Sequence, residues 1–347
     1  MALRAEIRKK LGAFTLDMRF EAGDGTLALL GASGCGKSMT LRCIAGVEKP
    51  DSGRIVLDGE TLYDSGKRID LPPQKRGVGL MFQHYALFPQ MTVLQNVLCG
   101  ARRSARGRAR EAAAREALEA FGIEDLAGRL PHQLSGGQQQ RAALARMLVS
   151  GPGVLLLDEP FSALDSHLRF RMEREMRQVI RRFGKTVLLV SHDRDEVYRL
   201  ADHVAIVRDG HIERIGTRDE VFADPGSRAG CALTGCKNIS SIRRLADGRA
   251  YAEDWGIALR LPLRPDTDAL GIRMHAVRIG DGENSFRCRA AEVVENPFSV
   301  TVMLHPLDAP EDALPIGWEM EKEMWAAIRA EEMTVQLPGE ALLQLKG

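Results

Sequence analysis

The sequence predicts an α/β fold with a parallel central sheet, followed by a smaller domain rich in β-strands. Three short segments, at 26–31, 154–160 and 186–193, are apolar almost throughout, as expected of strands buried on both faces of a parallel sheet. Helical patterns lie between them, and this alternation of strands with helices is typical of the fold class. After about Pro225 short alternating segments replace the pattern. The chain therefore changes architecture there.

Length and composition agree with a folded protein of two domains. At 347 residues the chain exceeds one average domain. Its 48 basic and 47 acidic side chains leave a net charge of +1, which gives no electrostatic case for nucleic acid. No segment approaches the roughly 18 consecutive apolar residues of a membrane span, and the N-terminus lacks the apolar core of a secretion signal. We therefore expect a cytoplasmic protein.

The elements of the first domain follow from the spacing of apolar residues and breakers. Strands are predicted at Leu3–Ile7, Phe14–Phe20, 26–31, 54–59, 77–82, 154–160 and 186–193. Helices are predicted at Lys37–Ala45, over most of 93–148 with a break at LPHQLSGG, and at about Ser166–Phe183. The segment at 203–216 predicts a hairpin that turns at Asp209-Gly210.

The second domain is predicted from short alternating segments spaced about ten residues apart and separated by Gly, Pro and Asp. This pattern is typical of a small β-barrel-like domain. The segments are RAYAEDW, IALRLPL, GIRMHAVRI, FRCRAAEVV, SVTVMLHPL and EMTVQL.

A glycine-rich turn joins the apolar strand at 26–31 to the helix that follows it. Glycines let backbone N–H groups point inward at the positive end of a helix dipole, which creates a cradle for phosphate. The strand–turn–helix context favours this interpretation over a chance glycine turn. Lys37 is then placed to reach the β and γ phosphates, and the Ser38 hydroxyl to bind Mg²⁺. The turn fits the pattern G-x-x-x-x-G-K-[ST] with Gly31, Ala32, Ser33, Gly34, Cys35, Gly36, Lys37 and Ser38.

Two carboxylates end the apolar strand VLLLDEP at 154–160. An aspartate at the end of a buried strand beside a phosphate loop is placed to organise the Mg²⁺ shell, and Asp158 has this position. The next carboxylate, Glu159, is placed to polarise an attacking water. A pair that only caps a loop is the alternative, and the neighbouring phosphate-loop pattern favours the metal role.

A second glycine pair opens the helix that runs to Val149. Two glycines at a helix start offer backbone N–H groups to an anion. The same letters also fit a helix N-cap that binds nothing, so the pattern gains meaning only beside the first phosphate site. Its residues are Ser135, Gly136, Gly137 and Gln138.

In this order the motifs resemble the nucleotide-binding subunit of an ATP-binding cassette (ABC) transporter, over about residues 1–225. The phosphate loop is similar to the family's Walker A loop, VLLLDEP to its Walker B strand, and LSGGQQQR at 134–141 to its signature. Three further residues resemble the Q-loop glutamine, the D-loop aspartate and the switch histidine: Gln83, Asp165 and His192.

The resemblance implies the fold and the domain limits. We expect a P-loop NTPase cassette at 1–225, with a RecA-like core and a helical subdomain at about 84–150. The β-rich domain at 226–347 is expected to be a transport-associated or regulatory module.

The resemblance also implies ATP hydrolysis with Mg²⁺ by a homodimer of cassettes packed head to tail. Glu159 is then the general base, His192 holds the γ-phosphate and the water, and Gln83 touches the metal and the water. The implied metal ligands are Ser38, Gln83 and Asp158. The implied nucleotide contacts are the loop Gly31–Ser38 and Asp165, with Ser135, Gly136, Gly137 and Gln138 of one copy closing on the loop of the other.

Members of the family often stack an aromatic residue from upstream of the loop on adenine. The candidates in this chain are Phe14 and Phe20, and both are expected to face the core. ATP is the expected nucleotide, and the way its base is held stays open.

One cassette followed by a β-rich domain resembles the importer ATPases. The resemblance implies integral membrane permease partners, an extracytoplasmic solute-binding protein that acts indirectly, no nucleic acid, and a peripheral position on the cytoplasmic face of the membrane. Tyr85, Leu87 and Phe88 are expected contacts of a permease coupling helix, with plain core packing as the alternative.

The solute is the least determined feature. The stretch at 62–93 and GCKN at 235–238 look most like molybdate importer ATPases, so molybdate or tungstate is expected. Sulfate or thiosulfate, other solutes such as sugars, polyamines or iron, and a regulatory cassette without transport remain alternatives. For the C-terminal domain a structural or dimerisation role is expected, with an oxyanion sensor as the alternative.

Overall fold

The computed structural model describes residues 2–82, 84–101, 107–162 and 166–347, and of 166–168 the backbone alone. The chain divides into two compact units, Met1–Arg218 and Asp219–Gly347. Within the described ranges, no helix has the length and apolar composition needed to cross a membrane.

The described residues of the first unit form eleven strands and six complete α-helices, and a seventh helix begins at the last residue of the unit. The strands are β1 (Leu3–Leu11), β2 (Phe14–Ala22), β3 (Gly25–Leu30), β4 (Ser52–Leu57), β5 (Glu60–Asp64), β6 (Ile69–Asp70), β7 (Val78–Met81), β8 (Val154–Asp158), β9 (Thr186–Ser191), β10 (His203–Arg208) and β11 (His211–Thr217). The helices are α1 (Lys37–Ala45), α2 (Val93–Gly100), α3 (Arg108–Ala120), α4 (Gly136–Leu148), α5 (Ser166–Phe183), α6 (Arg194–Leu200) and α7 (Arg218–Ala223).

The central sheet has the order β11-β10-β3-β9-β8-β7. Its strands from β10 to β7 pair in parallel, and β11 pairs antiparallel with β10 through the hairpin predicted at Asp209-Gly210. Every residue of β8 and β9 is buried, because helices and a second sheet cover the two faces, and this explains why both segments are apolar almost throughout. The predicted α/β fold with a parallel core is confirmed.

A second, antiparallel sheet covers the central one. Its order is β2-β1-β4-β5-β6. Inward-facing residues of β1 and β2, such as Leu3 and Met18, share one apolar core with Leu41 of α1 and with Leu188 of the central sheet. Alternate residues of β1 are exposed, as expected of a sheet with one solvated face.

A buried arginine ties the end of α1 to the segment before β7. Arg76 is 2% exposed, and its guanidinium donates to the carbonyls of Cys43 and Ile44 at 2.8 and 2.9 Å. It also donates to the Leu71 carbonyl at 2.7 Å and to the Asp70 carboxylate at 2.9 Å. The last carbonyls of a helix lack partners within the helix, so Arg76 satisfies them inside the protein.

Three helices, α2, α3 and α4, form a small helical layer in the region where a mostly helical pattern was predicted. Their shared core includes Val97, Leu118 and Ala142. The predicted break at LPHQLSGG falls between α3 and α4, where Ser135 is the N-cap of α4.

The second unit is built of two five-stranded sheets, in the orders β14-β13-β12-β15-β21 and β16-β20-β17-β18-β19. After helix α8 (Arg228–Leu233), the strands are β12 (Asn238–Arg244), β13 (Ala250–Ala252), β14 (Ile257–Leu259), β15 (Ala269–Ile272), β16 (Arg278–Ile279), β17 (Ser285–Glu295), β18 (Ser299–Pro306), β19 (Ile316–Glu321), β20 (Glu332–Gln336) and β21 (Leu342–Leu345). Helix α9 (Lys322–Ile328) connects β19 to β20.

Both sheets of the second unit bury one apolar core. It contains Trp255 and Ile272 from the region of the first sheet and Val302, Trp318 and Val335 from the second. All strand pairs in this unit are antiparallel, which agrees with the predicted β-barrel-like class. Helix α9 was not predicted, because its short apolar pattern lies within charged residues.

Candidate nucleotide-binding site

The loop between β3 and α1 curls so tightly that glycine is required at two of its positions. Gly36 has φ +102°, a left-handed conformation that other residues rarely adopt. A Cβ atom on Gly31 would lie 2.4 Å from the Val207 carbonyl oxygen. The predicted strand–turn–helix context of the phosphate-loop pattern is therefore present, since α1 starts at Lys37.

The lysine of this loop is buried inside the curl. Lys37 is 4% exposed, and its ammonium donates to the carbonyls of Gly31 and Ala32 at 2.7 and 2.8 Å. A positive charge therefore lies beside backbone N–H groups at the N-terminus of a helix, which is the environment that anions prefer.

The hydroxyl that follows the lysine reaches the end of a neighbouring strand. Ser38 Oγ donates to Asp158 Oδ1 at 2.6 Å. Burial raises the pKa of the Asp158 carboxyl, and the hydrogen bond from Ser38 opposes that rise. Asp158 is 5% exposed, and no ion pair within 4.0 Å joins it to a cation among the described residues. Mg²⁺ prefers oxygen ligands. The Ser38 hydroxyl and the Asp158 carboxylate are two such ligands side by side, so they fit this ion.

A carboxylate and an imidazole meet at the ends of β8 and β9. His192 Nδ1 lies 3.2 Å from Glu159 Oε1. Glu159 has φ +44°, which is uncommon for a residue with a side chain, and strained backbone of this kind clusters at functional sites. Its N–H donates to the Val190 carbonyl at 3.0 Å, which fixes the turn to β9. The parallel sheet thus brings Ser38 to Asp158 and His192 to Glu159, although the members of each pair lie far apart in the sequence.

The two upstream phenylalanines differ in their surroundings. Phe20 is buried in the core, as predicted. Phe14 is half-buried and packs against the same core, as predicted, and its ring tip lies 3.3 Å from the position of a Cβ on Gly36. The sequence could not show that the start of β2 also runs beside the phosphate loop.

The signature segment forms a capped helix start. Ser135 Oγ accepts from the Gln138 N–H at 3.4 Å, and Gln138 Oε1 accepts from the Ser135 N–H at 2.9 Å. Gly136 and Gly137 are the first residues of α4. Among the residues that the structure describes, no hydrogen bond or ion pair joins this segment to the phosphate loop.

Two predicted site residues, Gln83 and Asp165, lie outside the described residues. A cleft of about 480 Å³ is lined by Phe82, Tyr85, Phe88 and Arg146 among others. Tyr85 is buried, as the core-packing alternative requires. Phe88 is exposed, and the Arg146 guanidinium lies 5.5 Å from the centre of its ring.

Comparison with known proteins places these features in a family. The sequence model of the ABC transporter family matches residues 15–162. The Fe(3+) ions import ATP-binding protein FbpC of Rhizobium etli is 46% identical over 281 residues, which are 79% of this chain and 77% of the relative. The sulfate/thiosulfate import ATP-binding protein CysA 1 of Rhizobium meliloti is 42% identical over 303 residues, or 84% and 85%. The spermidine/putrescine import ATP-binding protein PotA of Oleidesulfovibrio alaskensis is 37% identical over 319 residues, or 86% and 82%.

The bacterial ABC transporter cassette MJ0796, solved as a dimer, is similar at a TM-score of 0.53 and 29% identity, over 63% of this chain and 99% of that one. A structure of the same cassette with ADP and phosphate gives the same TM-score of 0.53. The fold and site therefore define an ABC ATPase cassette. This chain belongs to the ABC transporter family as an ATP-binding subunit, and the three relatives group it with the import type.

Proposed function

We propose that this chain binds and hydrolyses ATP with Mg²⁺ to drive solute import through a membrane permease. The observation that carries the proposal is the hydrogen bond of 2.6 Å from Ser38 to Asp158, which joins the phosphate loop to the last residue of β8, directly before Glu159. This bond supports the proposal because it links the candidate binding loop to the candidate general base.

Each residue is proposed to act at its own place along the phosphates. The N–H groups of Gly31–Ser38 and the Lys37 ammonium bind the β and γ phosphates. Ser38 and Asp158 would hold Mg²⁺, together with the predicted ligand Gln83. The ion supplies neutralisation of the charge that develops on the phosphate oxygens.

Glu159 is proposed as the general base. Its carboxylate accepts the proton of the attacking water, and the half-exposed imidazole of His192 orients that water and the γ-phosphate. Their separation of 3.2 Å allows a hydrogen bond that holds both side chains in place before the reaction. Catalysis of phosphoryl transfer depends mainly on such positioning and on charge neutralisation.

A second copy of the chain is proposed to complete the site. The start of α4 offers backbone N–H groups at a helix N-terminus, and it has no bond to the phosphate loop of its own chain among the described residues. We infer that Ser135–Gln138 closes on the nucleotide bound by the other copy, with Asp165 near the same interface. The dimeric structure of the cassette MJ0796 supports this arrangement.

The permease is proposed to dock at the cleft lined by Phe82, Phe88 and Arg146. Phe88 offers an exposed aromatic ring there, whereas Tyr85 is buried and Leu87 packs against the core of the helical layer. We therefore assign the contact to Phe88, and Tyr85 and Leu87 to core packing. Phe88→Asp is expected to lower transport and to leave ATP hydrolysis by the isolated chain unchanged.

For the solute we propose sulfate or thiosulfate. The sequence favours an oxyanion importer, and among the relatives above the oxyanion-specific one is named for sulfate and thiosulfate. Fe(3+) import is the second candidate, because another relative is named for that ion. The prediction of molybdate gains no support from these three relatives, and molybdate uptake is measured in the test below.

The hydrolytic proposal is tested by Glu159→Gln. Loss of a general base lowers turnover by about 10²- to 10⁴-fold, whereas ATP binding is expected to persist because the phosphate loop is unchanged. Glu119→Gln on the exposed face of α3 is the matched control. Turnover of Glu159→Gln close to that of wild type would contradict the role of Glu159.

The solute is tested by uptake in cells that lack the gene, complemented with wild type or Glu159→Gln. Labelled sulfate, Fe(3+) and molybdate are supplied in separate experiments. Sulfate uptake restored by wild type alone supports the proposal. Restored uptake of another solute would correct the solute and keep the ATPase assignment.

A further inference from the structure

A buried carboxyl lies directly behind the loop that carries His192. Glu196, in the first turn of α6, is 4% exposed. It reaches none of the phosphate-loop residues, and no catalytic role follows from the motifs. Its position nevertheless connects it to the catalytic edge through its neighbours.

A hydrogen-bonded bridge through Ser191 connects Glu196 to the residues before and after His192. Ser191 Oγ donates to Glu196 Oε2 at 2.9 Å and accepts from the Asp193 N–H, also at 2.9 Å. Ser191 and Asp193 flank His192 in the chain. The backbone on either side of the histidine is therefore held by one hydrogen-bonded bridge that ends at Glu196.

The same serine lies between the two strands that carry the site. Ser191 ends β9 and pairs with Leu30, the residue before the phosphate loop. The preceding residue, Val190, pairs with Asp158 and accepts the N–H of Glu159. A shift of Ser191 would therefore change the separation of 3.2 Å between His192 and Glu159.

Among the described residues, no cation forms an ion pair with the Glu196 carboxyl. Arg169 on α5 donates to the carboxylate of Asp193 at 3.1 Å, and Glu173 on α5 pairs with Arg199 at 2.6 Å. Strands β3 and β9, which also pack against α6, carry no titratable side chain. Glu196 Oε1 is buried, and no described residue forms a hydrogen bond with it.

Burial raises the pKa of Glu196 from 4.5 to about 8, and the nearby Asp193 and Glu173 add to the rise, while Ser191 and Arg169 oppose it. At pH 7 the carboxyl is therefore mostly neutral. A neutral carboxyl accepts from Ser191 without the cost of a buried, unpaired charge.

We propose that Glu196 is a positioning residue for ATP hydrolysis, which holds the Ser191–Asp193 turn and thereby sets the imidazole of His192 against Glu159. The inference rests on the proposed hydrolytic function. It assigns the Glu196 carboxyl a role in turnover and none in nucleotide binding, because the bridge from Glu196 to Ser191 and Asp193 includes no residue of the phosphate loop.

The test compares steady-state ATP hydrolysis by the full chain of wild type, Glu196→Ala and Glu196→Gln between pH 6 and 9. Loss of the bridge in Glu196→Ala is expected to lower kcat about tenfold, since small misplacements near reacting groups have effects of this order or larger. KM for ATP is expected to stay within about twofold of wild type. Glu196→Gln is expected to recover most of the lost kcat, because its amide oxygen accepts from Ser191.

The pH profile separates positioning from general structural support. Above pH 8 the wild-type carboxyl ionises next to Asp193 and Glu173, so its kcat is expected to fall. Glu196→Gln cannot ionise and is expected to keep its kcat there. Asp195→Asn, a change of the exposed neighbouring carboxylate, is the matched control and is expected to follow wild type.

Two outcomes would overturn the inference. One is a kcat of Glu196→Ala equal to that of wild type. The other, which decides if the alanine variant does not fold, is a Glu196→Gln profile that falls above pH 8 as wild type does. A wild-type chain that hydrolyses no ATP would overturn the proposed function, whereas normal hydrolysis by wild type with either of these outcomes would overturn this inference alone.

Discussion

The two units of the chain bury different kinds of polar side chain. In Met1–Arg218 the buried set includes ionisable groups of both signs, namely Lys37, Asp64, Arg76, Asp158, Glu173 and Glu196. In Asp219–Gly347, which is described in full, the buried polar side chains are neutral hydroxyls and an amide, namely Ser227, Thr234, Asn238, Ser240 and Thr267.

The two units therefore differ in whether they bury charged groups. A buried charge is costly unless partners and hydrogen bonds satisfy it. The first unit has this cost near the carboxyl ends of the parallel strands, where Asp158 ends β8 and where Lys37 and Glu196 lie in the first turns of α1 and α6. The second unit depends on apolar packing around residues such as Trp318, so its sensitivity to substitution should follow volume and not charge.

The largest expected effect on stability comes from removing the buried arginine of the first unit. Arg76→Met removes the donor of the Ile44 carbonyl. It leaves the Cys43 carbonyl only the Gly46 N–H at 3.2 Å. The substitution also leaves Asp70 without its buried cation, and we expect it to lower the free energy of unfolding by about 3 to 5 kcal/mol. Urea unfolding measures it, with the exposed Arg19→Met as control. A loss no greater than that of the control would show that buried charge is not what distinguishes the first unit.

A core truncation tests the second unit in the opposite way. Leu304 is fully buried in the apolar core, and Leu304→Ala is expected to cost about 3 kcal/mol. ATP hydrolysis by the full chain is expected to stay unchanged, and the exposed Leu314→Ala serves as control. A parallel loss of ATP hydrolysis would break the comparison, because it would make the two units depend on each other.

The pH dependence of stability sharpens the comparison at Glu196. Its pKa is raised from 4.5 to about 8 in the folded chain. The folded state therefore binds the proton more tightly than the unfolded state, and stability present below pH 4.5 is lost as pH rises to about 8. Glu196→Gln has no such loss.

We expect the difference in Tm between Glu196→Gln and wild type to grow by roughly 10 °C from pH 5 to pH 8, because a pKa shift of this size is worth a few kcal/mol. Thermal unfolding at the two pH values, followed by circular dichroism, measures it. A constant difference would mean that Glu196 titrates near its usual value and that the carboxyl is better solvated than its burial indicates.

The smallest expected effect concerns the aromatic ring beside the phosphate loop. If Phe14 supports the adenine, Phe14→Ala is expected to raise KM for ATP about fivefold, which corresponds to about 1 kcal/mol of stacking. Phe14→Tyr keeps the ring and should retain the wild-type KM. Equal KM values for all three proteins would return Phe14 to the core-packing role first expected from the sequence.

Much of the first unit was predictable because its signals are local. Helices α1 and α5 have the predicted bounds Lys37–Ala45 and Ser166–Phe183. The glycine turn marks the start of α1, and a long amphipathic pattern marks the extent of α5. The order of strands in the sheets was not predictable, because pairing depends on which apolar faces meet after the chain has folded.

The candidate site divides in the same way. The glycine loop has a fixed local spacing and Asp158 ends a local apolar segment, so the sequence singled them out as candidates. The positive φ of Glu159, the bridge from Ser191 to Glu196 and the clamp of Arg76 carry no such signal. A buried glutamate or arginine looks like any surface residue in a sequence, and only its burial shows its role.

The sequence by itself determined the class of chemistry, because the cradle for phosphate needs glycines, a lysine and a hydroxyl at fixed spacing along one strand–turn–helix unit. The tertiary structure decided which residues support that chemistry, because distant segments meet only when parallel strands place their carboxyl ends at one edge. Burial at that edge then determined the protonation of the carboxyl groups that lie there. A carboxyl such as Glu196 has an ordinary pKa in the open chain and a raised one in the fold, since desolvation acts only once the protein surrounds it.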